Sequence, residues 1–397
     1  MKPILAQRMS LVSESATATL SKRVAQLKHQ GREVIDLGQG EAEDLFAPPH
    51  VQEAAWRAIR DNQTKYTPTA GTLELREAIA YRFAQDNGLR VQPSQVMAST
   101  GAKQGVFNFM MAVLDPGDEV LVPAPYWVSY IHQVKLAGGQ PVVVPTSPQR
   151  GFKVMGDTLR QYLTSRTRAL VLNNPNNPSG AVYTREELLD ILDVVLSAGV
   201  LVLADEVYDR LTFDGAAHVS MAALTSEAAA VTVTVNAVSK RYCMTGWRLG
   251  FAAGPQELIA AMERVQSHTT SCPNGVAQRA ATAALTGDQQ AVVALRHELD
   301  ARRRAMVGGL RGLPGLQCWP IQGSFYAFPS VPGFESGAHF AEALLEATGV
   351  IVVPGDAFGM PEHVRLCFAA SRTSLDRALE RMSVWLRPGA ATEGQRR

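Results

Sequence analysis

Short apolar segments alternate with amphipathic segments between residues 51 and 287 of the chain. The strand-like segments cover residues 96–100, 119–123, 141–146, 169–173, 200–204, 231–235 and 250–254. Among the helical segments, residues 73–87 place Leu75, Ile79 and Phe83 at four-residue spacing, and Thr184 with Glu187 forms a capping box that opens a helix. This alternation predicts a doubly wound, mostly parallel sheet.

The pattern changes after residue 287. Strand-like segments at residues 324–328, 350–353 and 364–368 are interleaved with helical segments near residues 288–310, 338–347 and 374–386. We therefore predict an α/β protein with a large sheet domain at residues 48–287 and a smaller α+β domain at residues 288–397. Residues 1–47 are too short to fold alone, so we expect an N-terminal arm that packs on the small domain.

Composition narrows the possible partners. The 397 residues include 38 Lys and Arg against 37 Asp and Glu, a formal charge of +1. This balance gives no indication of a nucleic-acid or membrane partner, so anionic ligands must be bound by local arginines. The four cysteines lack metal-ligand or disulfide-framework spacing, and we predict no metal site. The first thirty residues lack the apolar core of a signal peptide, so we expect a cytoplasmic protein.

Lys240 follows the predicted strand at residues 231–235, where a buried strand gives way to a loop. A lysine desolvated at such a position can have a lowered pKa and can form a Schiff base with an aldehyde. Arg248 suits a doubly charged phosphate, because its guanidinium offers a bidentate fork. An amine for an aldehyde and an arginine for a phosphate together indicate pyridoxal 5'-phosphate (PLP).

Two further loops also follow predicted strands. Gly101, Ala102 and Lys103 lie in a turn that opens a helix, where backbone N–H groups can bind a phosphate. Taken alone, that turn fits a purely structural role equally well. Two prolines and a glycine in residues 173–180 fix the loop that carries Asn177, so its amide can be held at one angle.

Asp205 ends the predicted strand at residues 200–204, where a buried carboxylate needs a cationic partner. A protonated pyridine nitrogen supplies that partner, and the ion pair keeps the ring an electron sink. Tyr208 could donate to the ring oxygen, and the indole of Trp127 could stack on the ring. A helix cap for Asp205 and core packing for the two aromatic residues are alternative interpretations.

Eight short motifs occur along the chain in a fixed order. They are Lys65-Tyr66, Thr100-Gly101-Ala102, Pro125-Tyr126-Trp127, Asn176-Asn177-Pro178-Ser179-Gly180, Asp205-Glu206-Val207-Tyr208, Ser239-Lys240, Thr245-Gly246-Trp247-Arg248 and His363-Val364-Arg365-Leu366. With these motifs the chain resembles the class I aminotransferases of the aspartate aminotransferase fold, which are PLP-dependent transferases of fold type I, and their bacterial branch in particular. The resemblance covers nearly the whole chain, and the joint occurrence of the motifs is specific.

The resemblance implies a role for each candidate residue. Lys240 would bind the cofactor aldehyde and move the proton at the substrate Cα, and Asp205 would pair with the pyridine nitrogen. The other cofactor-binding residues would be Gly101, Ala102, Lys103, Ser239 and Arg248 near the phosphate, Trp127, Asn177 and Tyr208 at the ring, and Tyr66 from the neighbouring subunit of a homodimer with shared sites. The substrate-binding residues would be Arg365, Asn177, Trp127 and Gly40, with Lys103 and Ser15 at a distal carboxylate.

We therefore predict a ping-pong aminotransferase that passes an amino group from an L-amino acid to a 2-oxo acid. Aspartate or glutamate is the expected donor, and an aromatic donor is the second expectation. One alternative is an elimination enzyme on the same scaffold, of the C–S lyase or cyclopropane-forming synthase type. Another is a non-enzymatic PLP-binding regulator, which would normally need a DNA-binding domain for which the chain has no spare length. For Lys103, a helix start that points to solvent is an alternative interpretation.

Overall fold

A computed structural model describes residues 4–387, without the side chain of Thr17. Its α-helices are α1 (Ala16–His29), α2 (Pro49–Arg60), α3 (Leu73–Asn87), α4 (Ala102–Val113), α5 (Ser129–Leu136), α6 (Gly156–Tyr162), α7 (Arg185–Ala198), α8 (Ser226–Val231), α9 (Val238–Arg241), α10 (Gln256–Ser267), α11 (Gly275–Thr286), α12 (Gln290–Arg311), α13 (Gly337–Thr348) and α14 (Arg372–Leu386). Its strands are β1 (Ile35–Asp36), β2 (Val96–Ser99), β3 (Glu119–Pro123), β4 (Gln140–Val144), β5 (Thr167–Asn173), β6 (Leu201–Asp205), β7 (Thr232–Ala237), β8 (Gly250–Ala253), β9 (Tyr326–Ala327), β10 (Val350–Ile351), β11 (Val353–Pro354) and β12 (Val364–Cys367).

The large sheet has seven strands in the order β2-β8-β7-β6-β5-β3-β4. Strand β8 runs antiparallel to both of its neighbours, and the other neighbouring pairs are parallel. The predicted α/β fold with a mostly parallel sheet is confirmed, and the seven predicted strands of this sheet differ from the observed ones by at most two residues at either end.

Helices cover both faces of this sheet, which explains why its strands are almost continuously apolar. Along β5, Val171 belongs to a buried cluster with Phe109 of α4, whereas Leu170 belongs to a second cluster with Ile191 of α7. Successive side chains of a strand point to opposite faces, so each face needs its own apolar set. Helix α7 begins at the predicted capping box, where the Thr184 hydroxyl accepts from the Glu187 N–H.

The strand register places several site residues along one edge of the sheet. Asn173 at the end of β5 pairs with Asp205 at the end of β6. Ala237 at the end of β7 lies beside Gly250, and Gly250 lies beside Ser99 at the end of β2. The loops and helices that follow these residues therefore converge at the carboxyl edge, where open α/β sheets bind ligands.

Two small sheets form from the remaining strands. Strands β11, β12 and β9 make an antiparallel three-stranded sheet, and β1 pairs in parallel with β10. The predicted single strand at residues 350–353 is wrong, because β10 and β11 are separate strands in different sheets. The predicted strand at residues 324–328 is reduced to Tyr326–Ala327, and Ser324 has a positive φ of 59°.

The predicted helices after residue 287 are α12, α13 and α14, with ends within two residues of the prediction. The predicted domain boundaries at residues 47 and 287 stay a prediction. In the described range from residue 4 to residue 387, no helix combines the length and apolar character required to cross a membrane.

Candidate active site

A cavity of about 240 Å³ lies at the carboxyl edge of the large sheet. It collects side chains from a sequence range of more than three hundred residues, and eleven of the predicted site residues line it. The predicted residues in its wall are Gly40, Ala102, Lys103, Trp127, Asn177, Asp205, Tyr208, Ser239, Lys240, Arg248 and Arg365. The other lining residues are Tyr130, Asn173, Val207, Ala237, Thr245 and Tyr326.

Lys240 enters the cavity from the short helix α9, which directly follows β7. Its Nζ donates a hydrogen bond to the Gly40 carbonyl oxygen at 2.6 Å and lies 5.4 Å from the centre of the Phe325 ring. Burial lowers the pKa of Lys240 to about 8. A substantial fraction of this amine is therefore neutral near physiological pH, which is the form that attacks an aldehyde.

Asp205 is the buried acid of the cavity, with 4% of its surface exposed. The Tyr130 hydroxyl donates to its Oδ2 at 2.6 Å, and the Val207 N–H donates to its Oδ1 at 3.3 Å. The two hydrogen bonds lower the pKa of Asp205, but burial has the larger effect and raises this pKa to about 6. None of the ion pairs formed within residues 4–387 involves Asp205, so its carboxylate has room for a cationic ligand.

Arg365 projects from β12 and is 2% exposed. Its Nη1 donates to Asn177 Oδ1 at 3.1 Å and its Nη2 donates to the Gly38 carbonyl oxygen at 2.7 Å, while its Nε has no partner among the described residues. The guanidinium lies 4.3 Å from the centre of the Tyr326 ring. No described acid forms an ion pair with it. A buried, unpaired guanidinium at a cavity is suited to a carboxylate ligand.

The hydroxyl groups of Tyr208 and Tyr326 contact each other, and the Tyr326 hydroxyl lies next to Gly40. Their hydroxyl oxygens are 3.1 Å apart, and both side chains are buried. Burial raises the pKa of Tyr326 to about 12 and raises that of Tyr208 as well, so both hydroxyls are protonated at physiological pH, and one of them donates to the other. A Cβ atom at Gly40 would come within 2.3 Å of the Tyr326 hydroxyl, so only glycine fits this wall of the cavity.

An anion cradle forms where α4 begins. Gly101 precedes the helix with a φ of 76°, and a Cβ atom there would come within 2.5 Å of Arg248 Nη2. Arg248 is held in turn by a 2.7 Å hydrogen bond from its Nη1 to the Thr245 carbonyl oxygen. A Cβ atom at Gly250 would lie 2.2 Å from the Ala102 nitrogen, so two glycines allow the helix start and Arg248 to approach each other. Backbone N–H groups and a guanidinium in this arrangement bind phosphate.

Lys103 follows this cradle in α4, and its ammonium lies 5.0 Å from the centre of the Trp127 ring. Burial lowers the pKa of Lys103, and the positive charge of Arg248 lowers it further. Both Lys103 and Trp127 line the cavity, but Lys103 is also exposed to solvent, so a helix start that points to solvent stays an alternative interpretation for Lys103.

Three predicted residues do not line the cavity. Gly101 acts from behind it through the contact with Arg248. Tyr66 is 92% exposed on the protein surface, and Ser15 stands at the N-cap position of α1.

Sequence reasoning missed Tyr130 and Tyr326 as contributors to the site. Tyr130 is one of the aromatic residues at positions 125–130, and Tyr326 lies in the apolar segment at residues 324–328. Both look like core residues from the sequence, and only the fold brings them to Asp205 and Tyr208.

The residues fit PLP in three respects. Asp205 is a buried carboxylate that forms no ion pair within residues 4–387, Lys240 is a buried amine with a lowered pKa, and Gly101 and Gly250 let Arg248 and the N-terminus of α4 approach each other. These features match the pyridine nitrogen, the aldehyde and the phosphate of that cofactor.

Comparison with known proteins also indicates a PLP-dependent aminotransferase. The profile of the family described as aminotransferase class I and II matches residues 32–382. An aspartate aminotransferase of Geobacillus stearothermophilus is 44% identical, covering 95% of this chain and 98% of that protein. An aspartate/prephenate aminotransferase of Nitrosomonas europaea is 40% identical over 96% of this chain and 98% of that protein.

Solved structures extend the likeness to the fold. The aspartate aminotransferase of Thermus thermophilus with maleate has a TM-score of 0.92 and 42% identity, covering 96% of this chain and 99% of that one. The predicted transamination chemistry is thereby favoured over the elimination and regulatory alternatives. The chain belongs to the class I and II aminotransferase family and is a PLP-dependent aminotransferase.

Proposed function

We propose that this aminotransferase takes its amino group from a dicarboxylic amino acid, aspartate or glutamate, and passes it to a 2-oxo acid in a ping-pong reaction. The observation that carries the proposal is the charge of the cavity wall. Four cationic side chains line it, and Asp205 is its only acidic side chain among the described residues. The four cations are Lys103, Lys240, Arg248 and Arg365. Such a wall favours ligands with several negative charges.

The cofactor would be held by residues at the sheet edge. Arg248, Ser239 and the backbone at Gly101 and Ala102 would bind the phosphate, and Asp205 would keep the pyridine nitrogen protonated. Trp127 would pack against the ring, and Asn177 and Tyr208 would bind its oxygen. When bound, PLP supplies an electron-withdrawing ring that stabilises negative charge at the substrate Cα. Lys240 Nζ would anchor the cofactor and, once released, move the proton at the substrate Cα.

The substrate would be oriented at two ends. Arg365 would bind the α-carboxylate with its fork, aided by Asn177 and the backbone of Gly40, because the guanidinium is buried without an acidic partner. Lys103, beside Trp127, is the cation left for a second carboxylate, with Ser15 as a further candidate. Two fixed ends would hold the Cα–H bond in one orientation relative to Lys240.

The names of the relatives agree with this donor class. The Geobacillus stearothermophilus protein is an aspartate aminotransferase, and the Thermus thermophilus enzyme was solved with maleate, a dicarboxylate. The Nitrosomonas europaea relative is an aspartate/prephenate aminotransferase, so a bulkier acceptor with a distal carboxylate belongs among the substrates to test.

We further propose a cytoplasmic homodimer with shared active sites. Tyr66 is 92% exposed, and nearby α2 exposes 62% of Trp56 and 52% of Ile59. Large apolar groups exposed together are typical of a protein–protein interface. The four cysteines are free thiols, as expected in a reducing compartment.

The proposal is tested by half-reactions of the purified PLP-loaded enzyme with each common amino acid, followed by cofactor absorbance. Aspartate and glutamate should convert the cofactor fastest. The Lys103→Ala variant should lose about tenfold or more of the rate with these two donors and little with phenylalanine, since one charge-assisted contact is removed. Lys135→Ala, a lysine of α5 outside the cavity wall, is the matched control. Preference for a basic or aromatic donor without use of dicarboxylates would contradict the proposed donor class.

A further inference from the structure

Three cavity residues share an unusual sequence relationship. Asp205, Tyr208 and Lys240 are each followed directly by a charged residue that points away from the cavity into one buried polar network behind the sheet edge. The charged neighbours are Glu206, Asp209 and Arg241.

Arg241 is the centre of this network, and it is 2% exposed. Its Nη1 donates to Asp86 Oδ2 at 2.7 Å, and its Nη2 donates to Asp209 Oδ2. Asp86 lies in the last turn of α3, so the ion pairs connect α9 to a helix that packs on the sheet through buried residues such as Phe83. The planar guanidinium holds its donors in fixed directions toward the two carboxylates, whereas the donors of an ammonium rotate freely.

Asn87 extends the network to the residue after Asp205. Its Nδ2 lies 3.2 Å from Asp209 Oδ2 and 3.4 Å from Glu206 Oε2. Glu206 is 1% exposed, lies 3.1 Å from His218 Nε2, and accepts from the Met221 N–H at 3.2 Å. Every acid of the network therefore has a polar partner, as buried charges require.

The electrostatics of the network favour the charged forms. Burial raises the pKa of Asp209, but the charges of Arg241 and His218 and the hydrogen bonds from Arg241 and Asn87 together outweigh burial, so the pKa lies below its ordinary value. Removing Arg241 would leave the buried carboxylate of Asp209 without its arginine, which is strongly unfavourable, whereas Asp86 would keep Arg82 at 3.6 Å and Arg210 at 3.9 Å.

The backbone joins each charged residue of the network directly to a residue of the cavity. Lys240 and Arg241 are consecutive in a helix of four residues, so a displacement of the Arg241 backbone also moves Lys240. Asp205 and Glu206, and Tyr208 and Asp209, are coupled in the same way. Within residues 4–387, the Lys240 side chain makes one hydrogen bond, to the Gly40 carbonyl oxygen, and one contact with the ring of Phe325.

We propose that Arg241 is a positioning residue, and that its ion pairs with Asp86 and Asp209 fix Lys240, Tyr208 and Asp205 relative to one another from behind the active site. The inference rests on the cofactor-facing roles proposed for those three residues. It predicts that the network sets cofactor affinity and the titration of the bound cofactor as well as stability.

The test compares Arg241→Lys with Arg303→Lys. Arg303 is a matched control, because it is also a buried arginine bonded to two aspartates, Asp214 at 2.7 Å and Asp300 at 2.9 Å, but it lies in α12 outside the cavity wall. Both substitutions replace a planar guanidinium, which can bond two aspartates, by a smaller ammonium group, and both should lower Tm. Only Arg241→Lys should raise the Kd for PLP about tenfold and shift the pH midpoint of bound-cofactor absorbance, with kcat falling about tenfold to a hundredfold if Lys240 is displaced by about 1 Å.

Equal changes in PLP affinity and pH midpoint for both variants would overturn the proposal, as would unchanged values in Arg241→Lys. If Arg241→Lys does not fold, the Asp86→Asn variant is tested instead. It removes the charge of one of the two acids that contact Arg241, the one in the last turn of α3. That variant should show the same two changes at smaller size, and wild-type values would overturn the proposal. Wild-type PLP binding and half-reactions are measured first, so failure of the proposed function is seen before any variant is compared.

Discussion

The Tyr130 hydroxyl donates a hydrogen bond to Asp205 Oδ2, with 2.6 Å between the two oxygen atoms. Tyr130 comes from α5 and Asp205 from the end of β6, and both are almost fully buried. The bond favours the ionised carboxylate, which is the form that pairs with a protonated pyridine nitrogen. Tyr130 would therefore support the pairing that we propose between Asp205 and the pyridine nitrogen of PLP.

Tyr130→Phe should lower kcat about tenfold and weaken PLP binding, because loss of a buried hydrogen bond to a charged group costs about 1.5–3 kcal/mol. Steady-state kinetics and a PLP titration of the apoenzyme measure both effects. Tyr183→Phe is the matched control, since the Tyr183 hydroxyl is also buried but accepts a bond from the Val154 N–H outside the cavity. Similar kinetics for the two variants would show that the Tyr130 bond has no role in the site.

Asp205→Asn should inactivate the enzyme yet stabilise the apoprotein at neutral pH. The pKa of Asp205 is raised by burial from 3.8 to about 6 in the folded chain, so the folded state binds its proton more tightly than the unfolded state does. Wild-type stability therefore falls as pH rises from about 4 to above 6, by up to roughly 3 kcal/mol.

The Asp205→Asn variant does not lose stability over this pH range, because its side-chain amide does not titrate. Urea unfolding of both apoproteins at pH 4.5 and pH 7.5 measures the difference, which should be larger at pH 7.5. A wild-type apoprotein that is as stable as the variant at pH 7.5 would mean that Asp205 is not destabilised by burial.

Arg365→Ala should raise KM about a hundredfold or more for every amino donor together, because the α-carboxylate is common to all and the lost contact is bidentate and buried. Arg365→Lys should recover only part of this loss, since a point charge cannot replace the fork. Kinetics with aspartate, glutamate and phenylalanine decide the point. An increase in KM confined to one donor would assign Arg365 to a side-chain pocket instead.

Tyr66 gives a test of the shared-site homodimer. In a mixed dimer with Tyr66→Phe on one subunit and Lys240→Ala on the other, both changes fall in the same site if Tyr66 serves the partner, and about half of the wild-type activity remains. If Tyr66 serves its own subunit, each site carries one change and the activity falls further. A protein that sedimentation shows to be strictly monomeric would exclude the shared site altogether.

The sequence predicts local structure well where the hydrophobic periodicity agrees with the residues that cap a helix. Helix α3 ends at Asn87, where Gly88 adopts a positive φ of 68°, and α7 starts at the Thr184 capping box, both as predicted. The candidate residues that follow predicted strands lie at one edge of the sheet, because the carboxyl ends of parallel strands share that edge.

Contacts between distant residues could not be predicted in the same way. Tyr130 lies 75 positions from Asp205, and Tyr208 lies 118 positions from Tyr326, so no local pattern links either pair. The ion pairs of Arg241 with Asp86 and Asp209 are likewise properties of the fold. The break between β10 and β11 escaped prediction, because a single apolar run carries no sign of a change of sheet.

The most direct test of the active site is to locate the lysine that holds the cofactor. Borohydride reduction fixes PLP to the amine that carries it, and peptide mass spectrometry then identifies the residue. The lowered pKa and burial of Lys240 predict one modified lysine per chain, at position 240, and no fixed cofactor in Lys240→Ala. Stoichiometric labelling of Lys103 or any other lysine, or retained labelling in Lys240→Ala, would contradict the active site described for this cavity.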